Sequence, residues 1–251
     1  MSLFANLKSE GLVESEDRLG GYRPLQSGIY TGKIKAAYAG KSSGGAQSVS
    51  VIVDIDGQEY RETIYITSRS GDNFYVKEGK KYPLPGFTTV DNICLVTCGK
   101  PLSEVITEEK VIKLYDKDAK KELPKSVDML VDLLGCSVTL GIFLETVNKT
   151  EKDANTGNYV PIAETREQNV INAVFHTETK MTVAEARQGA EKAKFHDDWK
   201  ERHTGKTQDK RDLKDGQSAG TAGPPKRPGA PATPPQAGGA TPAKKSLFGA
   251  K

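Results

Sequence analysis

The sequence is poor in cysteine and has no long apolar run. Its three cysteines, Cys94, Cys98 and Cys136, cannot all pair, and so few in 251 residues are typical of a reducing cytoplasm. No stretch approaches the ~18 consecutive apolar residues that a membrane span needs. The first residues carry acids where a signal peptide needs an apolar segment. We therefore expect a cytoplasmic protein that has no membrane partner.

Residues that usually perform catalysis or bind metals are also scarce. There are only three histidines, and none stands in the sequence context of a base beside a nucleophile. Cys94 and Cys98 are four apart, but no second pair of cysteines or histidines lies nearby to complete a zinc site. The sequence therefore predicts buried, inert thiols, no metal, no cofactor and no enzymatic activity.

The positive charge is concentrated at the C-terminal end. The chain carries a net charge of +3, yet residues 216–251 contain five basic residues and no acid. Subtracting these five charges leaves −2 for residues 1–215, so total charge says little about the partner of the folded part. Residues 216 to about 245 are mostly Gly, Ala, Pro, Ser and Thr, which bury too little surface to offset an ordering cost of ~1–2 kcal/mol per residue. We expect a flexible tail there.

Alternating apolar residues predict strands in the first part of the body. Residues 28–40 place Tyr30, Ile34, Ala36 and Tyr38 on one face. Residues 48–56 alternate with four inward β-branched side chains, and Asp56-Gly57 is a dipeptide that two-residue hairpins prefer. The return strand over 58–69 completes a three-stranded unit.

The second part of the body combines predicted helices and strands. We expect an irregular loop at 79–87, helices at 90–98 and 124–134, and strands at 137–147 and 168–179. Thr182 and Glu185 have the spacing of a capping box, which predicts a helix to about residue 203. Three strands, a helical connection and two strands suit a mainly β (α+β) fold, namely a five-stranded barrel of the oligonucleotide-binding (OB) type. The predicted segments are an arm (1–26), the barrel (27–181), a C-terminal helix beside it (182–203) and a flexible basic tail (204–251).

The outward face of the first three strands combines cations with flat side chains. Single-strand binders use cations to follow phosphates and aromatic rings on which bases stack. The candidate residues on this face are Lys33, Lys35, Ile52, Arg61, Tyr65 and Arg69, and Tyr38 is a further candidate for base stacking. The loop lysines that could close over a bound strand are Lys41, Lys77, Lys80 and Lys81.

Three stretches of the sequence are distinctive as whole segments. They are GKKYPLPGFTTVDNICLVTCGKPLSE, EKVIKLYDKDAKKELPKSVDMLVDLLGCSVTLGI and ETREQNVINAVFHTETKMTVAEAR. These segments resemble single-stranded DNA-binding proteins encoded by tailed bacteriophages, and the similarity covers residues 27 to about 203. The resemblance implies an OB-fold protein that coats exposed DNA during phage replication, recombination or repair in the cytoplasm of the infected bacterium.

The C-terminus departs from the pattern of many single-strand binding proteins, which end in an acidic tail that recruits replication partners. Here the end is Lys-Lys-Ser-Leu-Phe-Gly-Ala-Lys, in which Ser246-Leu247-Phe248 repeats the Ser2-Leu3-Phe4 of the N-terminus. Chance explains a repeated tripeptide. The alternative is that Leu247 and Phe248 dock a phage or host replication or recombination protein.

Three other functions are compatible with these patterns. The first is a phage protein–protein interaction or structural module that never touches nucleic acid, which the net charge of −2 on residues 1–215 favours. The second is an enzyme such as a nuclease, which the lack of clustered carboxylates and histidines disfavours. The third is an RNA target, which no residue excludes.

Overall fold

The computed structural model describes residues 24–116, 119–153, 157 and 159–213. Over this part the protein is mainly β, with three short α-helices. The strands are β1 (Gly28–Lys41), β2 (Gln47–Ile55), β3 (Gln58–Tyr65), β4 (Phe74–Lys77), β5 (Lys80–Pro83), β6 (Thr107–Asp116), β7 (Lys121–Leu130), β8 (Ser137–Lys152), β9 (Tyr159–Phe175) and β10 (Thr207–Asp209). The helices are α1 (Pro85–Thr97), α2 (Val183–Arg187) and α3 (Lys194–His203), and single 3-10 turns lie at Leu102–Glu104 and Val131–Leu133.

Eight of these strands form one sheet, and β4 and β5 form a separate two-stranded ribbon. The order β10-β8-β1-β2-β3 runs through the sheet, while β9 pairs with β8 and the β6–β7 hairpin joins through β7 to β1. Every pairing is antiparallel except that of β10 with β8. Strand β1 is shared, since its start pairs with β8 and its remainder with β2.

The β2–β3 hairpin confirms the prediction made from its alternation. Asp56 and Gly57 have φ angles of 51° and 85°, as the tight turn between two twisted strands requires. On the inner face, Val49 and Val53 lie opposite Ile64 and Tyr60, and all four side chains are buried. This alternation places one face of the hairpin in the main core.

Helix α1 covers the inner face of the sheet. Pro85 stands in its first turn, where a missing N–H has no helical partner to lose. Val90, Ile93 and Cys94 are fully buried against the sheet. Burial also raises the pKa of the Cys94 thiol, so this cysteine is an apolar core residue, as predicted from the sequence.

Strands β3 and β9 form no ladder with each other in the described part of the chain, and a side chain bridges the gap. The Glu62 carboxylate accepts a hydrogen bond from the backbone N–H of Ile171 on β9, at 2.8 Å. The same oxygen accepts one from the Tyr60 hydroxyl at 2.5 Å. Burial raises the pKa of Glu62 above its usual range, and these two donors oppose that effect. The sheet is therefore open, with a carboxylate where a closed barrel would have backbone pairing.

Helix α3 packs on the opposite, outer face of the sheet. Trp199 stacks on Phe143 of β8, with ring centroids 5.4 Å apart, and its indole N–H donates to the Asn172 side chain at 2.8 Å. Phe175 of β9 completes this small second core. Thr182 and Glu185 form the predicted capping box at α2.

Two asparagine side chains hold the ends of the described chain. Asn169 of β9 accepts from the Leu25 N–H at 2.7 Å and donates to the Leu25 carbonyl at 2.8 Å. Asn148 of β8 accepts from the Leu213 N–H at 2.9 Å. Each side-chain amide makes hydrogen bonds to backbone groups, as a neighbouring strand would, so both ends are fixed to the β8–β9 ladder.

Two predicted elements between β3 and β8 are wrong. The apolar spacing predicts a helix over 124–134, but most of these residues belong to β7, whose ten residues all pair with β6. This long hairpin supplies every backbone partner, which outweighs the helix-like spacing of the apolar residues. The segment 79–87 is not an irregular loop, because it contains β5 and the start of α1.

The C-terminal expectations also need correction. The predicted helix over 182–203 is two helices separated by residues 188–193. Residues 207–209, which the sequence assigns to the flexible tail, form β10 and pair in parallel with β8 from Thr207 opposite Leu144. The body is thus longer than 27–203, and it contains ten strands where five were expected.

Glu62 generates a stability prediction. Glu62→Ala should lower the free energy of unfolding by about 1–3 kcal/mol, because it removes an acceptor shared by the Ile171 N–H and the Tyr60 hydroxyl. Glu62→Gln keeps an acceptor and should be much milder. Urea unfolding followed by circular dichroism measures both, and equal losses in the two variants would contradict the bridge.

The raised pKa of Glu62 sets the sign of a pH effect. The folded state binds this proton more tightly than the unfolded state does, so the contribution to stability is complete below the ordinary value of 4.5 and is lost as pH rises through the folded pKa. The wild type should therefore gain stability relative to Glu62→Gln as pH falls from neutral toward 4.5. A difference that is independent of pH would contradict this assignment.

Candidate nucleic-acid interface

A β-bulge in β1 decides which side chains lie on the outer face of the first three strands. Ile34 pairs with Val53 on the inner face, but after the bulge Ala36 pairs with Ile52 and Tyr38 with Ser50. Ala36 and Tyr38 therefore lie on the outer face, not beside Ile34 as the uninterrupted alternation predicted. The bulged residue is Lys35.

Ile52 lies on the outer face, as predicted, but it is not accessible. Only 6% of it is exposed, and it packs with Ala36 and with Met129 of β7. Tyr38 is half-buried against the same cluster. The base of the β6–β7 hairpin thus covers the centre of this face, so Ile52 is a core residue and no surface for a base to stack on.

The cations at one end of the outer face are paired with acids. Lys35 contacts Asp54 at 3.1 Å, and Arg61 contacts Glu59 at 3.0 Å. The hydrogen bond from Lys35 holds the pKa of Asp54 below its usual range. Lys33 is exposed and stands opposite Asp54 in the ladder. Acids partly neutralise this end of the face, which weakens its attraction for phosphate.

Lys41, Tyr65 and Arg69 lie at the other end of the first three strands, at the end of β1 and at and beyond the end of β3, and we call this region the cationic end. Tyr65 is 54% exposed at the end of β3, and Lys41 is exposed at the end of β1. The Arg69 side chain runs beside the β1–β2 loop, where a β-carbon on Gly44 would lie 3.3 Å from its Nε. Within the described residues, none of the cations at this end forms an ion pair with an acid.

The β4–β5 ribbon, which we call the arm, adds three lysines and three aromatic rings. Tyr75 and Tyr82 stack with ring centroids 5.6 Å apart, and 42% of Tyr75 is exposed. Lys81 lies over the Phe74 ring, 4.2 Å from its centroid. The three lysines, Lys77, Lys80 and Lys81, are all exposed. One acid, Glu78, occupies the turn.

The arm starts next to the cationic end. Its base closes through the hydrogen bond from the Leu84 N–H to the Asn73 carbonyl at 2.8 Å. Just beyond it, Gly86 lies so close to the Tyr65 carbonyl that a β-carbon there would overlap the oxygen. The base of the arm is therefore anchored beside Tyr65, although Gly86 and Tyr65 are far apart in sequence.

Tyr75 and Tyr82 are not among the residues that the sequence singled out, because their segment has the composition of a loop. A signal was nevertheless present, since Glu78-Gly79 separates two short runs rich in β-formers, Phe-Tyr-Val-Lys and Lys-Lys-Tyr-Pro. Glu78 and Gly79 have φ angles of 53° and 73°, the conformation of such a turn. The candidate docking residues Leu247 and Phe248 lie outside the described residues.

Among residues 24–116, 119–153, 157 and 159–213, no group of three or more His, Cys, Asp or Glu side chains could hold a metal ion. No helix in these ranges is both long enough and apolar enough to cross a membrane. What the described surface offers is exposed cations beside exposed aromatic rings.

The burial of Ile52 also generates a stability prediction. Ile52→Ala should lower the free energy of unfolding by about 2–4 kcal/mol, because it opens a cavity between the sheet and the β6–β7 hairpin. Val111→Ala is a matched control, since Val111 on β6 is 69% exposed and should change stability by less than about 0.5 kcal/mol. Thermal unfolding of both variants tests this, and equal effects would contradict the packing.

The cationic end and the arm together can contact a polyanion and present flat rings to its bases. Few acids lie among these residues, in contrast to the neutralised end of the same face. No protein-family model matches the chain, and no curated protein matches it.

Proposed function

We propose that the protein binds single-stranded DNA with little sequence preference, through the cationic end and the arm. The observation that carries this proposal is the stacked Tyr75–Tyr82 pair, of which Tyr75 is exposed, among Lys77, Lys80 and Lys81. Lysines attract the phosphate backbone, and base stacking on an aromatic ring contributes about 1–3 kcal/mol for any base. This chemistry binds DNA without reading its sequence.

The aromatic surface favours a single strand over a duplex. In a duplex the faces of the bases are covered by their neighbours, and only phosphates and base edges are accessible. The exposed rings of Tyr65 and Tyr75 would then have no partner. Unpaired bases can stack on both, so a single strand uses the cations and the rings together.

We also propose that the sheet is an open variant of the OB arrangement. In this assignment β1, β2, β3, β8 and β9 are the five strands, and α1 lies between the third and the fourth. The order β9-β8-β1-β2-β3 and the Glu62 bridge from β3 to β9 support it. The arm and the β6–β7 hairpin are then insertions on either side of α1. OB folds bind strands on the face of their second and third strands and through nearby loops, which is where the cationic end lies.

The resemblance to single-stranded DNA-binding proteins of tailed bacteriophages supports the same function. On this proposal, the protein coats DNA exposed during phage replication, recombination or repair in the infected bacterium. Its further partners would be phage or host proteins of those processes, and Leu247 and Phe248 remain candidates for docking them.

A protein-interaction module is the second candidate function. The observation in its favour is a group of exposed apolar side chains on and beside β6, namely Ile106, Val111 and Tyr115. Such side chains contribute to protein interfaces more than to phosphate binding. Failure to bind any oligonucleotide would make this the preferred function.

The first prediction from this proposal concerns affinity and salt. Fluorescence anisotropy of labelled oligo(dT) should show tight binding at low salt that duplex DNA does not displace. The logarithm of the affinity should fall by about 0.7 per phosphate contact for each tenfold rise in salt. Competition with RNA of the same length measures the preference for the sugar. Absence of binding at low salt would contradict the proposed function.

The arm generates a prediction with matched controls. Tyr75→Ala should weaken oligo(dT) binding by about 1–3 kcal/mol at every salt concentration, because it removes a stacking surface. Lys80→Ala with Lys81→Ala should instead lower the salt slope, by about 0.7 for each phosphate that is no longer neutralised.

The controls lie on the β6–β7 hairpin, which carries similar exposed residues outside the proposed interface. They are Tyr115→Ala and the pair Lys113→Ala with Lys121→Ala, all exposed. Neither control should change the affinity or the slope. If the control variants weaken binding as much as the arm variants do, the arm is not the interface.

A further inference from the structure

A cavity of about 480 Å³ lies on the outer face of the sheet, between the starts of β1 and β8 and helix α3. It is distant in sequence from the cationic end and the arm, and it shares no residue with them. Its lining residues are Gln26, Ser27, Gly28, Ile29, Tyr30, Thr31, Thr139, Thr177, Lys180, His196, Lys200, Thr204 and Gly205. The volume is within the range of sites that hold small ligands.

Packing of α3 leaves this space open. Trp199 stacks on Phe143 and thereby places α3 over β8 and β9, and Ile29 at the start of β1 packs against the same cluster. The chain after α3 returns to β1, where the Gly205 N–H donates to the Ser27 carbonyl at 2.7 Å. The cavity is therefore bounded by fixed elements on three sides.

The lining is cationic. It contains Lys180 and Lys200, and no aspartate or glutamate is among the lining residues. Both lysines are exposed, so their ammonium groups can reach a ligand without a large desolvation penalty. Such a lining attracts anions.

Three threonines, Thr31, Thr139 and Thr177, are among the lining residues. The Thr31 and Thr139 hydroxyl oxygens are 2.8 Å apart, and the Thr139 hydroxyl donates to that of Thr177 at 3.4 Å. Each hydroxyl can both donate and accept, so this group can reorient its protons toward an anion. Lysines with hydroxyls are a donor set that suits phosphate oxygens.

Lys180 has a backbone conformation that lysine rarely adopts. Its φ is 60°, in a turn closed by hydrogen bonds between His176 and both Lys180 and Met181. Glycine or asparagine is usual at such a position, and a lysine there is mildly strained. The other three non-glycine residues with positive φ in the described chain lie in hairpin turns of the main sheet or the arm. Glycine at this position would relieve the strain and remove the charge at the same time.

One acid stands near this group without lining the cavity. Asp197 is 2.9 Å from His196 Nδ1, and its side chain is largely exposed. The His196 hydrogen bond lowers the pKa of Asp197, and the charges of Lys180 and Lys200 act in the same direction. Asp197 therefore competes with a bound anion for both lysines.

We propose that this cavity binds a phosphate group, held by Lys180, Lys200 and the threonine hydroxyls. The proposal goes beyond the oligonucleotide interface, since it concerns a separate surface. Two sources carry this chemistry: a free nucleotide, or a backbone phosphate of a bound strand. Thr31 is two residues before Lys33 on the same face of β1, which gives a strand a route from the cavity onto the sheet.

Isothermal titration calorimetry of the full chain tests the site with three probes: inorganic phosphate, thymidine 5′-monophosphate and thymidine. The two phosphates should bind and thymidine should not. No heat from either phosphate would overturn the proposal, and so would equal binding of thymidine.

Four single variants locate the site. Lys180→Gly and Lys200→Gln should each weaken phosphate binding on the order of tenfold, because each removes a charge-assisted contact. Lys194→Gln, on α3 but outside the lining, should have no effect. Asp197→Asn should strengthen binding, because it removes the competing carboxylate. Unchanged affinity in both lining variants would overturn the assignment.

Because Lys180 has a strained backbone, the Lys180→Gly variant distinguishes an effect on binding from an effect on folding. Lys180→Gly should keep or raise the melting temperature of the unliganded protein while it weakens phosphate binding, since glycine relieves the positive φ. If the melting temperature falls in parallel with the affinity, Lys180 has only a structural role and the proposal fails.

Competition between oligo(dT) and thymidine 5′-monophosphate identifies the source of the bound phosphate. It also tests the cavity independently of the oligonucleotide interface. If oligo(dT) displaces thymidine 5′-monophosphate and Lys180→Gly weakens oligo(dT) binding, the cavity holds a backbone phosphate. If the monophosphate binds and oligo(dT) affinity is unchanged in Lys180→Gly, the cavity holds a free nucleotide. Lys80→Ala with Lys81→Ala should leave monophosphate binding intact, so either site can fail without the other.

Discussion

Strand β1 serves two partners in succession, and the rest of the fold depends on this sharing. Residues 28–33 pair with β8, while residues 33–41 pair with β2. The edge that β8 leaves vacant is taken by β7 at Tyr38, opposite Met129. A single strand therefore joins the β2–β3 unit, the β8–β9 unit and the β6–β7 hairpin. Other elements of the chain pack on parts of these units, and the exposed surface is the part that they leave uncovered.

The bulge at Lys35 lies near the point where β1 changes partner. It turns Ala36 and Tyr38 outward, which creates an apolar strip that the base of β7 buries. Helix α3 covers the outer face on the other side, over β8 and β9. The polar surface is thus divided into two regions, the cationic end with its arm and the cavity beside Lys180. The sequence predicted a continuous strand face, which would be interrupted neither by the base of β7 nor by α3.

Local patterns predicted those parts of the structure whose partners are near in sequence. The Asp56-Gly57 hairpin and the Thr182–Glu185 capping box depend on contacts within a few residues, and both are present. The burial of Ile52 depends on β7, which comes from elsewhere in the chain and meets β1 at Tyr38. The strand at 121–130 pairs with its neighbour β6, but the helix-like spacing of its apolar residues concealed this hairpin. Of the candidate site, the sequence identified Lys77, Lys80 and Lys81 as loop cations. It did not identify their neighbours Tyr75 and Tyr82, because recognising the arm as a hairpin requires its two short strands to be seen as a pair.

The hydrogen bonds that Asn169 and Asn148 make to the two ends of the body have a consequence for the order of the strands along the chain. Leu25 is held by Asn169, which lies opposite Leu144 on β8, and Leu213 is held by Asn148, four residues further along that strand. Four residues of strand span about 13 Å, so a linker of roughly five residues could join the two ends of the body. New termini could then be opened at the exposed Asp56-Gly57 turn. The order of strands in space would survive a change in their order along the chain, because backbone pairing with β1 holds the β8–β9 ladder to the rest of the sheet.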